Sequence, residues 1–224
     1  KLVFRVSRPW IRDPEFTIVE GARAGATGYS FPSGHTQNAA AVLGCPARMA
    51  RKKGLKITLW VLYALVGISR MYLGVHTPYD VGVGVVMGLV LVFGLYPFFS
   101  EKNYKPQRMY VLLGVMLALS IAFTTYTRLY PFPADIEVDN LSHGIKNGYT
   151  LTGAVAGMLA AFWLDEHYVH FQTAGSLPAH IVKCVVGLGL LLGIKTVLKP
   201  PMNALFGGDP IADAFRYAIV VFFA

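Results

Sequence analysis

The sequence predicts an all-α protein, a polytopic transmembrane helical bundle with its functional loops at one membrane interface, and three observations predict it. Hydrophobic residues make up 54% of the chain and charged residues only 14%, against about 25% charged in a soluble domain. Apolar segments recur at about 57–73, 80–99, 109–125, 149–164, 179–197 and 211–224, and the longer ones approach the roughly 20 residues a helix needs to cross a bilayer. The basic residues, which give a net charge of +8, cluster between apolar segments instead of covering a soluble face, which argues against a nucleic-acid partner.

Each element follows from its local composition. A weaker apolar segment covers 34–50 and is interrupted by Pro46; about 16 residues at 1.5 Å each reach roughly 24 Å, nearly a crossing when packed among other helices. Arg48, Arg51, Lys52, Lys53 and Lys56 lie before the next segment, and Lys102, Lys105 and Arg108 lie two crossings later. The positive-inside rule places both loops in the cytoplasm, and so the turn around residues 70–80 on the opposite side. Continuing the count, the stretch Arg128 to Gly148, with Pro residues and Asp135, Glu137 and Asp139, is expected to be an extracytoplasmic loop.

Other features read as scaffold. Gly84 and Gly88, Gly153 and Gly157, and Gly189 and Gly193 stand four apart, the small-residue spacing that lets membrane helices approach closely. Asp165-Glu166-His167-Tyr168-Val169-His170 matches no metal-ligand spacing and reads as a polar helix end. Cys45 and Cys184 form neither a disulfide framework nor a metal pattern. Gly28-Tyr29-Ser30 and Gly148-Tyr149-Thr150 hint at a repeat. Lys in place of Met at the first position and an apolar run at the last residues, through Ala224, predict a piece of a longer chain.

Three strings carry chemistry. They are Lys1 with Arg8-Pro9, then Pro32-Ser33-Gly34-His35, then Ser69-Arg70 followed by His76 and Asp80. Lys1, Arg8 and Arg70 suit a phosphate dianion, the arginines as bidentate forks and the lysine as a point charge. Ser33 and the Gly34 N–H would add neutral donors at a helix N-terminus. Singly, several of these residues have a bland reading. Thr77, Pro78 and Asp80 fit a helix start with a capping acid, and Ser33 fits an N-cap. Only their joint occurrence in order calls for one shared site.

The pattern K-x6-RP, PSGH and SR-x5-H-x3-D resembles the type 2 phosphatidic acid phosphatase superfamily, in its membrane-bound lipid phosphatase branch. The resemblance implies a catalytic core over residues 1–100, with further helices expected upstream, and additional transmembrane helices over 101–224. It implies that His76 is the nucleophile that becomes phosphorylated and that Asp80 accepts the proton on its Nδ1. It further implies that His35, protonated, donates to the leaving alkoxide and then helps activate water. A shared site requires 34–50 to cross, so that His35 and His76 meet at one face. Trp10, Phe16, Tyr29 and Phe31 fit an apolar rim for a lipid tail and equally fit ordinary interfacial aromatics.

The expected activity is metal-independent hydrolysis of a phosphomonoester or pyrophosphate, on a lipid such as phosphatidic acid, phosphatidylglycerol phosphate or polyprenyl pyrophosphate, at the extracytoplasmic side of the cell membrane. No cofactor or metal is expected. Two competitors stand beside it: a lipid phosphotransferase with the same intermediate, distinguished by its failure to release inorganic phosphate without an acceptor, and a transporter that binds phosphate lipids and leaves them intact. A soluble sugar phosphate is a further substrate class among relatives, and a vanadate-holding haloperoxidase is disfavoured by the membrane spans.

Overall fold

The computed structural model describes residues 1–100, 103–134, 136–172 and 174–223; Lys102, Asp135 and Ala224, named above, lie outside the described residues. Among the described residues there is no strand. The chain divides into two compact units, Lys1–Tyr104 and Lys105–Ala224. Four helical stretches are long and apolar enough to cross a membrane, Lys53–Tyr72, Pro78–Phe99, Pro106–Leu129 and Leu177–Leu205.

The first unit begins with two short helices, α1 (Pro9–Arg12) and α2 (Glu20–Arg23), set in extended chain. Ser33 caps α3 (Gly34–Ala39), which runs through a π turn at Ala40–Gly44 into α4 (Cys45–Met49). The widened turn precedes Pro46, whose ring has no N–H to donate to a regular ladder. Two long helices follow, α5 (Lys53–Tyr72) and α6 (Pro78–Phe99), joined by a short turn.

The doubtful segment 34–50 accompanies α6 along most of its length. Ser33 N–H donates to Asp80 O at 3.0 Å, Ala40 packs at Gly88, Gly44 at Val92, and the Arg48 guanidinium lies 4.5 Å from the Tyr96 ring centroid. From Asp80 to Tyr96 the helix rises about 24 Å, so the segment matches the depth of a helix long enough to span. Glycine makes this possible, because a β-carbon at Gly88 would stand 2.5 Å from that of Ala40 and one at Gly84 would stand 3.0 Å from the Ser33 carbonyl oxygen. Around that seam Ala39, Ala40, Tyr63 and Val92 form the buried core.

The second unit contains α7 (Pro106–Leu129), α8 (Val138–Leu164, closing in a π turn at Asp165–Val169), α9 (Leu177–Val197), α10 (Lys199–Leu205) and α11 (Ile211–Phe223). Helix α8 packs between α7 and α11. Gly153 and Gly157 receive the backbone of Ala214 and Ala218 with no room for a β-carbon. Arg128 clamps both carboxylate oxygens of Asp209 at 3.0 Å, and Asp213 pairs with Arg216 inside the unit.

Three expectations change here. Residues 138–148 are the first turns of α8, not loop, because Gly144 and Gly148 are buried and Gly148 admits Thr124 of α7 to 2.9 Å of where a β-carbon would sit. The spacing of Gly189 and Gly193 marks no close approach among the described residues, where a β-carbon on either would meet nothing within 4 Å. The repeat dissolves as well, since Gly28-Tyr29-Ser30 is non-helical, with a bend at Gly28, and Gly148-Tyr149-Thr150 is mid-helix.

Candidate active site

The α5–α6 turn is built around Gly74, whose φ of +71° and close contact with the Thr17 carbonyl, 2.6 Å from a would-be β-carbon, exclude a side chain. Val19 N–H donates to Leu73 O at 3.3 Å, so the segment 16–19 laces over the turn and fixes the backbone that presents His76. The imidazole is 2% exposed. Burial pushes its pKa below the ordinary histidine value, with Arg8 and Lys1 adding to the effect and Asp80 opposing it.

Arg8 approaches the ring from the other strand of the motif set. Its Nε donates to Gly28 O at 2.9 Å, Nη2 to Thr27 O at 2.8 Å and Nη1 to Val75 O at 2.8 Å. Nη1 also lies 3.2 Å from Nε2 of His76. The guanidinium is therefore held by three backbone carbonyls, and much of the fork expected to grip a phosphate is already engaged.

Asp80 sits at the third position of α6 and closes a capping box. Its Oδ2 accepts from Thr77 N–H at 2.8 Å, while Asp80 N–H donates to Thr77 Oγ1 at 3.2 Å. Nδ1 of His76 lies 3.7 Å from Oδ2, beyond hydrogen-bond reach. Ser30 occupies the gap, with Oγ donating to Oδ2 at 2.6 Å and lying 3.3 Å from Nδ1. The sequence reading missed Ser30; the one signal was a hydroxyl residue three positions before Ser33.

Around this pair the remaining residues gather. Ser33 is fully buried as the α3 N-cap, its Oγ accepting from Thr36 Oγ1 at 2.9 Å, with its own proton still available. A β-carbon on Gly34 would stand 4.0 Å from Lys1 Nζ. Desolvation of that ammonium, reinforced by Arg8 and opposed by Asp80, pushes the Lys1 pKa down to about 8. His35 is exposed in the next position and lies within electrostatic reach of Arg70, His76, Lys1 and Arg8. Arg70, half-buried in the last turn of α5, has Nε 3.4 Å from Ser69 Oγ. The three strings thus converge on one place.

Beside it lies a cleft of about 890 Å³, lined by Phe4, Arg5, Val6, Ser7, Arg12, Phe31, Thr77, Tyr79 and Asp80. Phe31 stacks on Tyr79 with centroids 5.3 Å apart, and Phe4 meets Phe31 edge-on at 5.0 Å. Of the four aromatics expected at a rim, Phe31 alone lines this cleft. Tyr29 is buried, Trp10 lies under Arg8 and Arg23, and Phe16 packs at Gly74.

Over 113 residues the chain is 38% identical to phosphatidylglycerophosphatase B of Bacillus subtilis, covering 46% of this chain and 53% of that protein. Over 73 residues it is 40% identical to lipid A 4'-phosphatase of Porphyromonas gingivalis, covering 33% of this chain and 30% of that protein. The chain thus spans about half the length of the first relative and less than a third of the second. No solved structure matches it. Residues 1–104 match the PAP2 superfamily, and residues 149–224 match the transmembrane extension of PAP2 superfamily phosphatases. With these two matches and four membrane-length apolar helices, the chain is an integral membrane protein that belongs to the PAP2 superfamily.

Proposed function

We propose that the protein is a membrane lipid phosphatase that hydrolyses a phosphomonoester or pyrophosphate through a phosphohistidine on His76, without a metal, at the extracytoplasmic face of the cell membrane. The observation that carries this reading is the contact between Arg8 Nη1 and His76 Nε2 at 3.2 Å. A guanidinium can only donate, so Nε2 must offer its lone pair, and a buried neutral imidazole with a free Nε2 is what attack on phosphorus requires. The mechanism follows from the neighbours. A phosphate entering at Nε2 takes over the Nη1 contact, and Lys1, Arg8 and Arg70 balance the charge spread over its oxygens. The Gly34 N–H and Ser33 hydroxyl, at the start of α3, add neutral donors.

His35 then protonates the departing alkoxide and, once neutral, takes a proton from the water that attacks the phosphohistidine. Asp80 stabilises the cationic ring in both steps. Residues 1–104 form the catalytic core in this account, and the aromatic cleft beside Asp80 supports an amphiphilic substrate. The relatives named for phosphatidylglycerophosphate and lipid A favour a phosphorylated lipid. The run of α3 and α4 alongside α6 supports a crossing by 34–50, which puts His35 and His76 at one face.

The test is release of inorganic phosphate from a panel of lipid phosphates in detergent, with chelator present. Chelator-resistant release that vanadate inhibits supports the reading. Dephosphorylation of the lipid only when an acceptor is added, with the phosphoryl group recovered on that acceptor, would make the protein a phosphotransferase, and intact substrate after long incubation would make it a binding or transport protein.

A further inference from the structure

The donors and acceptors around His76 admit a single proton arrangement in the neutral ring. Arg8 Nη1 donates to Nε2, so the ring proton is on Nδ1. That N–H faces Ser30 Oγ at 3.3 Å, whereas the Asp80 carboxylate is 3.7 Å away. The Ser30 hydroxyl spends its own proton on Asp80 Oδ2 at 2.6 Å, which leaves its lone pairs turned to the imidazole. The chain of bonds therefore runs Nδ1–H to Oγ, then Oγ–H to Oδ2.

We propose that Ser30 is a positioning residue for His76, coupling the Asp80 carboxylate to the imidazole in place of a direct contact. This rests on the reading of His76 as nucleophile. As Nε2 bonds to phosphorus and the ester oxygen leaves, the ring becomes a cation that keeps its Nδ1 proton. When water displaces the phosphate, the Nε2–P bond breaks and the ring returns to neutral. No proton passes through Ser30; its oxygen, polarised by the carboxylate, holds the ring angle and stabilises the cation in both directions.

Two features separate this from simple packing. The Ser30 backbone is fixed independently of its hydroxyl, since its N–H donates to Val6 O at 2.8 Å, and Asp80 is fixed independently of Ser30 by the Thr77 capping box. Loss of the hydroxyl therefore leaves both neighbours in place with a gap too long for a hydrogen bond.

The experiment measures hydrolysis of dioleoyl phosphatidic acid in mixed micelles by the whole protein and its Ser30→Ala, Ser30→Thr, Asp80→Asn and Ser30→Ala/Asp80→Asn variants, beside the Nδ1 proton of His76 in ¹⁵N-histidine-labelled samples. Ser30→Ala is expected to lower kcat roughly 10- to 100-fold, the range for a histidine that loses its orienting partner, with KM within about 3-fold. Its acid limb moves to lower pH as the ring cation loses support, with Lys1, Arg8, His35, Arg70 and Asp80 as the unchanged charges around the ring. Ser30→Thr recovers most of the rate, and the double variant falls no further than Asp80→Asn.

The wild-type spectrum holds a downfield, slowly exchanging Nδ1 proton that disappears in Ser30→Ala. That resonance tests the coupling whatever the reaction is, so an inactive wild type would sink the phosphatase reading alone. Ser30→Ala within about 2-fold of wild type, multiplicative losses in the double variant, or a Nδ1 resonance unchanged by the substitution would overturn the assignment of Ser30.

Discussion

Nη1 of Arg8 lies 3.2 Å from Nε2 of His76 while the same guanidinium is bonded to the carbonyls of Thr27, Gly28 and Val75. Arg8 therefore joins the first string of the motif set to the third, and it is as much a structural pin as a phosphate ligand. Arg8→Ala leaves three carbonyls without their donor and is expected to destabilise the protein by about 3 kcal/mol, in addition to abolishing activity. Arg8→Lys keeps the charge but not the fork, and should recover less than half of that stability. Thermal unfolding in detergent, read beside phosphate release, checks both.

A different prediction concerns pH. Burial keeps His76 below the ordinary histidine pKa, so the free enzyme retains a neutral nucleophile below pH 6.5, and the acid limb of kcat/KM lies under that value. On the alkaline side two groups lose charge: His35, which must carry its proton to serve the leaving alkoxide, and Lys1, whose pKa is pushed down to about 8, so that phosphate binding weakens further as pH rises past 8. Lys1→Arg should remove the part of the fall that lies past pH 8 and leave the part set by His35, because a guanidinium stays protonated. A pH profile of kcat/KM that is flat from pH 7 to 10 would show that Lys1 does not serve the site.

Helix packing yields a prediction with opposite signs at two glycines. A β-carbon at Gly88 meets that of Ala40 at 2.5 Å, so Gly88→Ala pushes the π turn that follows α3 off α6 and should destabilise by about 1–3 kcal/mol, with a further loss of activity as His35 moves. A β-carbon on Gly94, also in α6, would meet nothing within 4 Å among the described residues, and Gly94→Ala should stabilise by up to about 1 kcal/mol through helix propensity. Unfolding midpoints of the two variants check the pair; equal effects would contradict the packing described.

The crossing by 34–50 is tested by accessibility. In a background without Cys45 and Cys184, single cysteines at Gly21 and Lys52, both exposed, are expected to react with an impermeant reagent from opposite sides of the membrane. Labelling of both from one side would contradict the crossing.

What was legible in the sequence divides along physical lines. Hydropathy located the long helices because a lipid-facing helix needs a membrane-length run of mostly apolar side chains, and α6 and α7 each carry one. The strings around Arg8, His35 and His76 were legible because their spacing is local. Ser30 was not, because its role arises only when Val6, His76 and Asp80 from distant parts of the chain close around it. The entry of α8 was hidden by its polarity. Asp139, Asn140, Ser142, His143 and Lys146 read as loop, although Gly144 and Gly148, four apart, are both buried and Gly148 packs on Thr124 of α7. Conversely, Gly189 and Gly193 carry the same spacing with open space where a β-carbon would sit among the described residues, because spacing states that a close approach is allowed and not that one occurs.

The most direct measurement is acid-labile labelling of the protein. A lipid phosphate carrying ³²P is mixed with the protein, quenched within milliseconds in alkali and digested. The account predicts an alkali-stable, acid-labile label on the peptide that contains His76, absent from His76→Ala and longer-lived in His35→Ala. Label on another residue, or label that persists in His76→Ala, would contradict it.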